Sequence, residues 1–247
     1  MNCDVIATGS SGNAVLLNGN ILIDCGVPFK HLQEIYRKIN LVLLTHEHYD
    51  HFIGATIRRL AADRPLLRFG CCQWMVLPLV EAGVPIHRID SYAIGTAYNY
   101  SIYGRTVRVE PFNLFHDIPN CGYKITLPNG QKALYATDTV SMDGVEAYGF
   151  DLYMIEANHR TEEIKRRIAE KEYDGKFSYE KRAIRTHLSQ EQADSWLVRN
   201  AASYSEIMPQ PHGPWMEAPR WQTEGRLPIN GTGKGPRMKI FPRSQEQ

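Results

Sequence analysis

LLTHEHYDHF, residues 43–52, decides the reading of this chain: an apolar run ends abruptly in three histidines and two acids within six positions. Histidine and aspartate at that density make poor helix or strand, so the segment is expected in a loop held by something other than local propensity. The flanks agree. LVLL, residues 41–44, reads as a buried strand, and FIGATIRRLAADR, residues 52–64, has helical spacing. In such a loop His46 and His48 can point the same way, while Asp50 and His51 follow closely enough to reach a second centre beside the first. Imidazole and carboxylate suit zinc, and two ions sharing a cluster of this kind sit about 3.5 to 4 Å apart. The full H-x-H-x-D-H pattern between strand and helix outweighs a solvated polar loop with incidental histidines.

Composition limits the rest. The chain has 247 residues, 43% hydrophobic and 22% charged, enough for one large core or two smaller halves. No segment is long and apolar enough to cross a membrane. The start, MNCDVIATGSSGN, carries no basic stretch followed by an apolar run, so no secretory signal is expected. Cys3, Cys25, Cys71, Cys72 and Cys121 form neither a C-x-x-C pair nor an even disulfide framework, which points to reduced thiols in a cytoplasm. A net charge of +1 gives no global signature of nucleic-acid binding. Residues 209–247 carry six Lys and Arg against three acids, together with seven of the fourteen prolines. The expected organisation is therefore a globular domain over residues 1–208 and an irregular, basic tail over 209–247, which Trp215 and Trp221 could dock onto the body or onto another chain.

Within the body, VIATG, AVLLN and NILIDCG (residues 5–9, 14–18 and 20–26) read as strands, with a hairpin turn at Asn18 to Asn20. PFKHLQEIYRKI, residues 28–39, has helical spacing, with Leu32, Ile35, Tyr36 and Ile39 on one face. Residues 100–114, 121–128, 131–139 and 151–157 look like strands, and 161–173 and 189–204 like helices. Ser189 and Gln192 have the spacing of a capping box; the Ser189 hydroxyl could also meet a phosphate. The pattern is that of a layered α/β protein.

THEHYDH, residues 45–51, resembles the signature of the metallo-β-lactamase fold hydrolases. The resemblance implies a four-layer αββα sandwich over residues 1–208, with two Zn2+ ions, Mn2+ being the alternative, at one edge of the sheets. It also implies further ligands. His116 in NLFHDIP matches the third histidine of the first metal, Asp138 in LYATDT the carboxylate bridging both ions, and His187 in RTHLSQEQ the last histidine of the second. Alone, a histidine after a strand or an aspartate before a threonine reads as a turn or cap residue; the first motif gives them their meaning. His48 favours a zinc hydrolase over di-iron chemistry.

VIATGSSGNAVLL, MIEANH and YEKRAIRTHLS are similar to the WalJ/YycJ-like branch and to phage anti-Pycsar cyclic nucleotide phosphodiesterases, both related in fold to RNase Z. Ile155 stands where RNase Z has the histidine of its H-E-A-T element, and no long Gly- and Pro-rich arm is evident. The resemblance implies hydrolysis of a phosphodiester by a metal-activated water. Asp50 would orient that water or take its proton, His159, positioned by Glu156, would supply the proton for the leaving oxygen, and Asp24 would buttress the ligand loop. A strand-end histidine that only packs is the alternative for His159. Ser189 and the backbone of Ser11, Gly12 and Asn13 are candidate phosphate contacts.

The nine Lys and Arg of residues 160–185 are interleaved with six acids, as on a solvated helix face. A cyclic mononucleotide is therefore expected ahead of a single-stranded DNA or RNA end, with thioester or lactam hydrolysis as a further alternative. A non-catalytic zinc protein is disfavoured by the complete ligand set. A homodimer is compatible with the sequence, no membrane association is expected, and a phage-encoded member would act in the cytoplasm of a bacterial host.

Overall fold

A computed structural model of the chain describes residues 1–201 and the strand Glu206–Gln210. Two sheets of six strands face each other. The first holds β1 (Cys3–Ala7), β2 (Ala14–Leu17), β3 (Ile21–Ile23), β4 (Leu41–Leu44), β5 (Arg68–Cys72) and β6 (Ile89–Tyr92) in chain order, antiparallel up to β3 and parallel from there. The second runs β12 (Glu206–Gln210), β11 (Leu152–Glu156), β10 (Lys132–Ala136), β9 (Asn120–Thr126), β8 (Arg105–Leu114) and β7 (Tyr98–Ile102). There β7 to β10 are antiparallel neighbours, while β10, β11 and β12 run parallel.

Side chains alternate across these strands, and the alternation builds three apolar layers. Leu41 and Leu43 of β4 point inward with Ile21 and Ile23 to meet Val109, Tyr123, Ile125 and Met154 of the opposite sheet. Val42 and Leu44 point outward, where Ile57 and Leu60 of α1 (Gly54–Asp63) cover them. On the far side Leu134, Tyr153 and Ile155 meet Trp196 and Leu197 of α5 (Gln190–Asn200). A strand buried on both faces reads as a continuous apolar run, which is why LVLL was legible. The result is the four-layer αββα sandwich that the resemblance implies. Across one margin Tyr92 of β6 hydrogen-bonds Tyr100 of β7 through their hydroxyls, which ties one sheet to the other.

Two expectations change. Residues 28–39 form no α-helix: Phe29–His31 and Tyr36–Lys38 are separate 3-10 turns. Their amides bond mainly three residues back, as in Leu32 to Phe29 O and Ile39 to Tyr36 O, and the segment still buries Leu32 and Ile39. The apolar spacing marked the buried face correctly but does not separate 3.0 from 3.6 residues per turn over so short a span. Second, β5, β6 and α2 (Val76–Glu81) went unread, because RFGCC offers little β-branched signal and Pro78 sits inside α2. That proline lies in the first helical turn, where no intrahelical bond is lost. β12 spans the boundary expected at residue 208; the remainder of the tail, with Trp215 and Trp221, lies outside the described residues.

Candidate metal centre

The candidate ligands all leave strand or helix ends at one edge of the sandwich. His46 follows β4, His116 follows β8, Asp138 follows β10, and His187 follows α4 (Glu180–Thr186). Asp138 and Asp24 both adopt left-handed backbone, at φ 54° and 58°, a conformation that aspartate tolerates better than most residues. Asn120 pins the Asp138 turn by donating from Nδ2 to the carbonyls of Thr137 and Asp138 at 2.9 and 2.7 Å.

The side chains converge in three groups that share Asp138. His46, His48, His116 and Asp138 form one; Asp50, His51 and Asp138 a second; Asp138, Glu156 and His187 a third. In the first, His46 Nε2 stands 3.2 Å from Asp138 Oδ2, and His116 Nε2 lies 3.3 Å from His48 Nδ1. In the second, His51 Nε2 is 2.9 Å from Asp138 Oδ2 and 3.6 Å from Asp50 Oδ2. In the third, His187 Nδ1 is 3.1 Å from Glu156 Oε2 and 3.6 Å from Asp138 Oδ1. All seven residues expected as ligands are thus gathered in one place, His187 being joined to the others through Asp138.

Charge explains why such a cluster suits a cation. Burial, with the neighbouring His51, pushes His46 down to about 4, so its ring is neutral with a lone pair available. Its Nε2 is buried without a hydrogen-bond partner, the distance to Asp138 notwithstanding. Burial opposes charge on His51 too, but Asp138 and Asp24 outweigh it and hold that imidazole well above its ordinary value. Carboxylates and imidazoles gathered at one largely buried point are the donor set of a metal such as zinc, and the residues fit the group.

Buried supports hold the donors. Asp24 Oδ2 lies 2.7 Å from His51 Nδ1 and accepts from the Tyr135 hydroxyl at 2.9 Å, while Oδ1 accepts from the amide and hydroxyl of Thr45 at 3.0 and 2.9 Å. Asp24 therefore buttresses the ligand loop as expected. Thr45 Oγ1 in turn lies 2.9 Å from His46 Nδ1. Supports of this kind fix ring orientation.

The surrounding residues show how their polar groups are engaged. Glu156 is engaged chiefly elsewhere than at His159: its Oε1 accepts from the amides of Thr139 and Leu188, both at 2.8 Å, and its Oε2 faces His187. One fully buried carboxylate thus braces the segments after Asp138 and after His187. In the turn at Ser11 to Asn13 two of the amides are already used within the protein, Gly12 N donating to Gly9 O at 2.9 Å and Asn13 N to Asp50 O at 2.6 Å. The Asn13 side chain instead reaches Asp50 Oδ2 at 3.2 Å and His51 Nε2 at 2.8 Å. Ser189 forms the capping box, accepting from Gln192 N at 3.2 Å. Ser11 itself is exposed. Sequence reasoning missed Asp117, whose Oδ1 lies 3.1 Å from His116 Nε2 and 3.4 Å from His48 Nε2 and whose other oxygen pairs with Arg182; a second acid directly after a ligand histidine was the available signal.

A cleft of about 550 Å³, lined by Leu188 next to His187 but by none of the seven candidate ligands, is walled by His159, Ser189, Lys165, Trp196 and Arg199 among others. His159 Nδ1 is buried there without a partner, and burial lowers its pKa.

Comparison with known proteins agrees with this geometry. The model of the beta-lactamase superfamily domain matches residues 19–204. A Bacillus anthracis protein named exodeoxyribonuclease YycJ is 26% identical over 179 residues, 67% of this chain and 66% of that protein. A metal-dependent hydrolase of Lawsonia intracellularis is 30% identical over 161 residues, 60% of this chain and 66% of that protein. Each alignment spans just under two thirds of the relative. Among solved structures, the metallo-beta-lactamase fold protein YhfI of Bacillus subtilis superimposes with a TM-score of 0.64 at 14% identity, covering 87% of each chain, a likeness of fold alone. A match over most of the length, on two stacked sheets that open at the T-H-E-H-Y-D-H loop, means that this chain belongs to the beta-lactamase superfamily, in its metallo-β-lactamase fold.

Proposed function

We propose that the chain is a dinuclear metal-dependent phosphodiesterase, with a cyclic mononucleotide as its preferred substrate. The observation that carries this reading is the meeting of three donor groups on one buried aspartate, Asp138, the arrangement by which one carboxylate serves two adjacent ions. Zn2+ or Mn2+ held there would lower the pKa of water and neutralise charge gathering on phosphate oxygens. His46, His48 and His116 would hold one ion, Asp50, His51 and His187 the other. Asp50 Oδ2, kept in place by Asn13, is set to orient the attacking water or take its proton. His159, with an unpartnered buried nitrogen on the cleft wall, is the group of this chain placed to give the leaving oxygen its proton. The exposed Ser11 and the Ser189 hydroxyl are the remaining candidates for phosphate oxygens.

The preference for a small substrate rests on the arm after β11. Lys165, Arg166 and Arg167 on α3 (Thr161–Tyr173) pair with Glu162, Glu170 and Glu163, and Lys171 and Lys181 pair with Glu180 and Glu172. Cations already paired make a weak track for a polymer, whose binding needs many phosphate contacts. A single-stranded DNA exonuclease is the second reading, favoured by the name of the Bacillus anthracis relative. A cytoplasmic setting fits five cysteines that form no disulfide.

The test is hydrolysis by metal-loaded full-length protein of a 3′,5′-cyclic mononucleotide, 5′-phosphorylated single-stranded DNA, bis-p-nitrophenyl phosphate and nitrocefin. Turnover of the cyclic nucleotide and the aryl diester is expected, with nitrocefin untouched. Efficient DNA degradation without cyclic nucleotide turnover establishes the exonuclease, and nitrocefin turnover alone overturns both readings.

A further inference from the structure

Large exposed aromatic side chains sit on three segments that meet at the histidine side of the centre. Tyr49, between His48 and Asp50, is 75% exposed, and Phe115, directly before His116, is 52% exposed. The two segments are adjacent, since the His48 and His116 rings lie 5.0 Å apart. A third segment joins them. Arg182 pairs with Asp117, and His116 Nδ1 lies 3.0 Å from Thr186 O, which places α4 against the same ligands. One turn before Arg182 on this segment stands Tyr179, its ring 4.8 Å from that of Phe177 in an edge-to-face pair, and both are about three-quarters exposed. Folding gains nothing from leaving four such rings in water.

We propose that Tyr49, Phe115, Phe177 and Tyr179 form a stacking surface for a nucleobase, with Arg182 at its margin. The inference rests on the phosphodiesterase reading and names what that site grips besides phosphate. Aromatic faces accept any base, and a guanidinium beside them adds cation–π attraction. A phosphate drawn to the donor cluster leaves its attached nucleoside at the mouth, where these rings stand.

The test is binding rather than turnover, so that it is scored separately from catalysis. Wild-type full-length protein and the single variants Tyr49→Ala, Phe115→Ala, Phe177→Ala and Tyr179→Ala are titrated with the fluorescent 1,N6-etheno derivative of 3′,5′-cyclic AMP and with a short oligothymidylate. An abasic oligomer of equal length is the base-free comparison, and Tyr103→Ala, an exposed tyrosine in the β7–β8 turn, is the control. Base-bearing ligands should bind more tightly than the abasic oligomer, and at least one of the four variants should weaken a base-bearing ligand about tenfold with abasic binding and melting temperature unchanged. Which ligand responds decides between a free nucleotide and a strand end. The proposal is overturned if neither base-bearing ligand binds, if all four variants bind as wild type does, if losses are equal for the abasic oligomer, or if the variants alter only self-association in sedimentation. Hydrolysis of bis-p-nitrophenyl phosphate by the same preparations scores the phosphodiesterase reading independently.

Discussion

At the scale of single residues, Asp138 carries the centre, since every donor group includes it. Elemental analysis of folded, metal-supplemented protein should find close to two transition-metal ions per chain. His116→Ala should lower that toward one, and Asp138→Ala should reduce both sites; one ion or none in the wild type defeats the dinuclear reading. Asp50→Ala should cost at least ~100-fold in kcat on a phosphodiester while leaving the melting curve in place, because Asp50 sits in a loop and adds nothing to the core. Near wild-type turnover with full metal content would refute its role. The candidate donors of the H-x-H-x-D-H loop were legible from their spacing, and His116, Asp138 and His187 only through the resemblance that the loop carries. The supports were not. Asn13 reaches Asp50 across 37 positions of chain and Glu156 reaches His187 across 31, and contacts of that span leave no local pattern.

At the scale of elements, the ligand loop is held by close backbone packing that only glycine permits. A Cβ on Gly26 would lie 1.7 Å from Asp50 O, and one on Gly12 would lie 2.3 Å from Gly26 O. Gly26→Ala should therefore displace the loop, losing metal and activity together, where an alanine at the half-buried Gly19 turn, strained by its φ of +73° but with nothing near its Cβ, should leave the metal site intact. Metal content of the two variants is the comparison. The α3–α4 pair should respond to acid. Burial resists charge on Glu180, yet the Lys171 ammonium, its backbone amide and Ser178 outweigh it and hold the carboxyl below its usual range. A depressed folded value means the ion pair contributes fully above the unfolded value and is lost as pH falls through the folded one. Hydrogen exchange in α4 should therefore accelerate as pH drops below about 4.5 relative to a Glu180→Gln protein, in which no such step remains. Long, periodic elements such as β4, α1 and α3 could be read from the sequence. The 3-10 turns at 29–38 and the Gly- and Cys-containing β5 could not, since their form is set by the layers they fill.

At the scale of the whole molecule, the five cysteines are all buried and form no disulfide, distributed over the inter-sheet layer and the α1 side. Burial and the neighbouring Cys72 push the Cys71 thiol up to about 12, and burial with Asp24 raises Cys25 further. Almost none of either is thiolate at neutral pH, and the thiolate is the reactive form. An alkylating reagent therefore meets nothing until the sandwich opens, so the mass gained by a sample in iodoacetamide becomes a clock for opening. Cys3 on the edge strand β1 should be tagged first and Cys121 of the central β9 last. Because ions that bind only the folded form suppress its opening, metal should slow the late tags, and a Gly26→Ala protein should run at the same pace with metal or without.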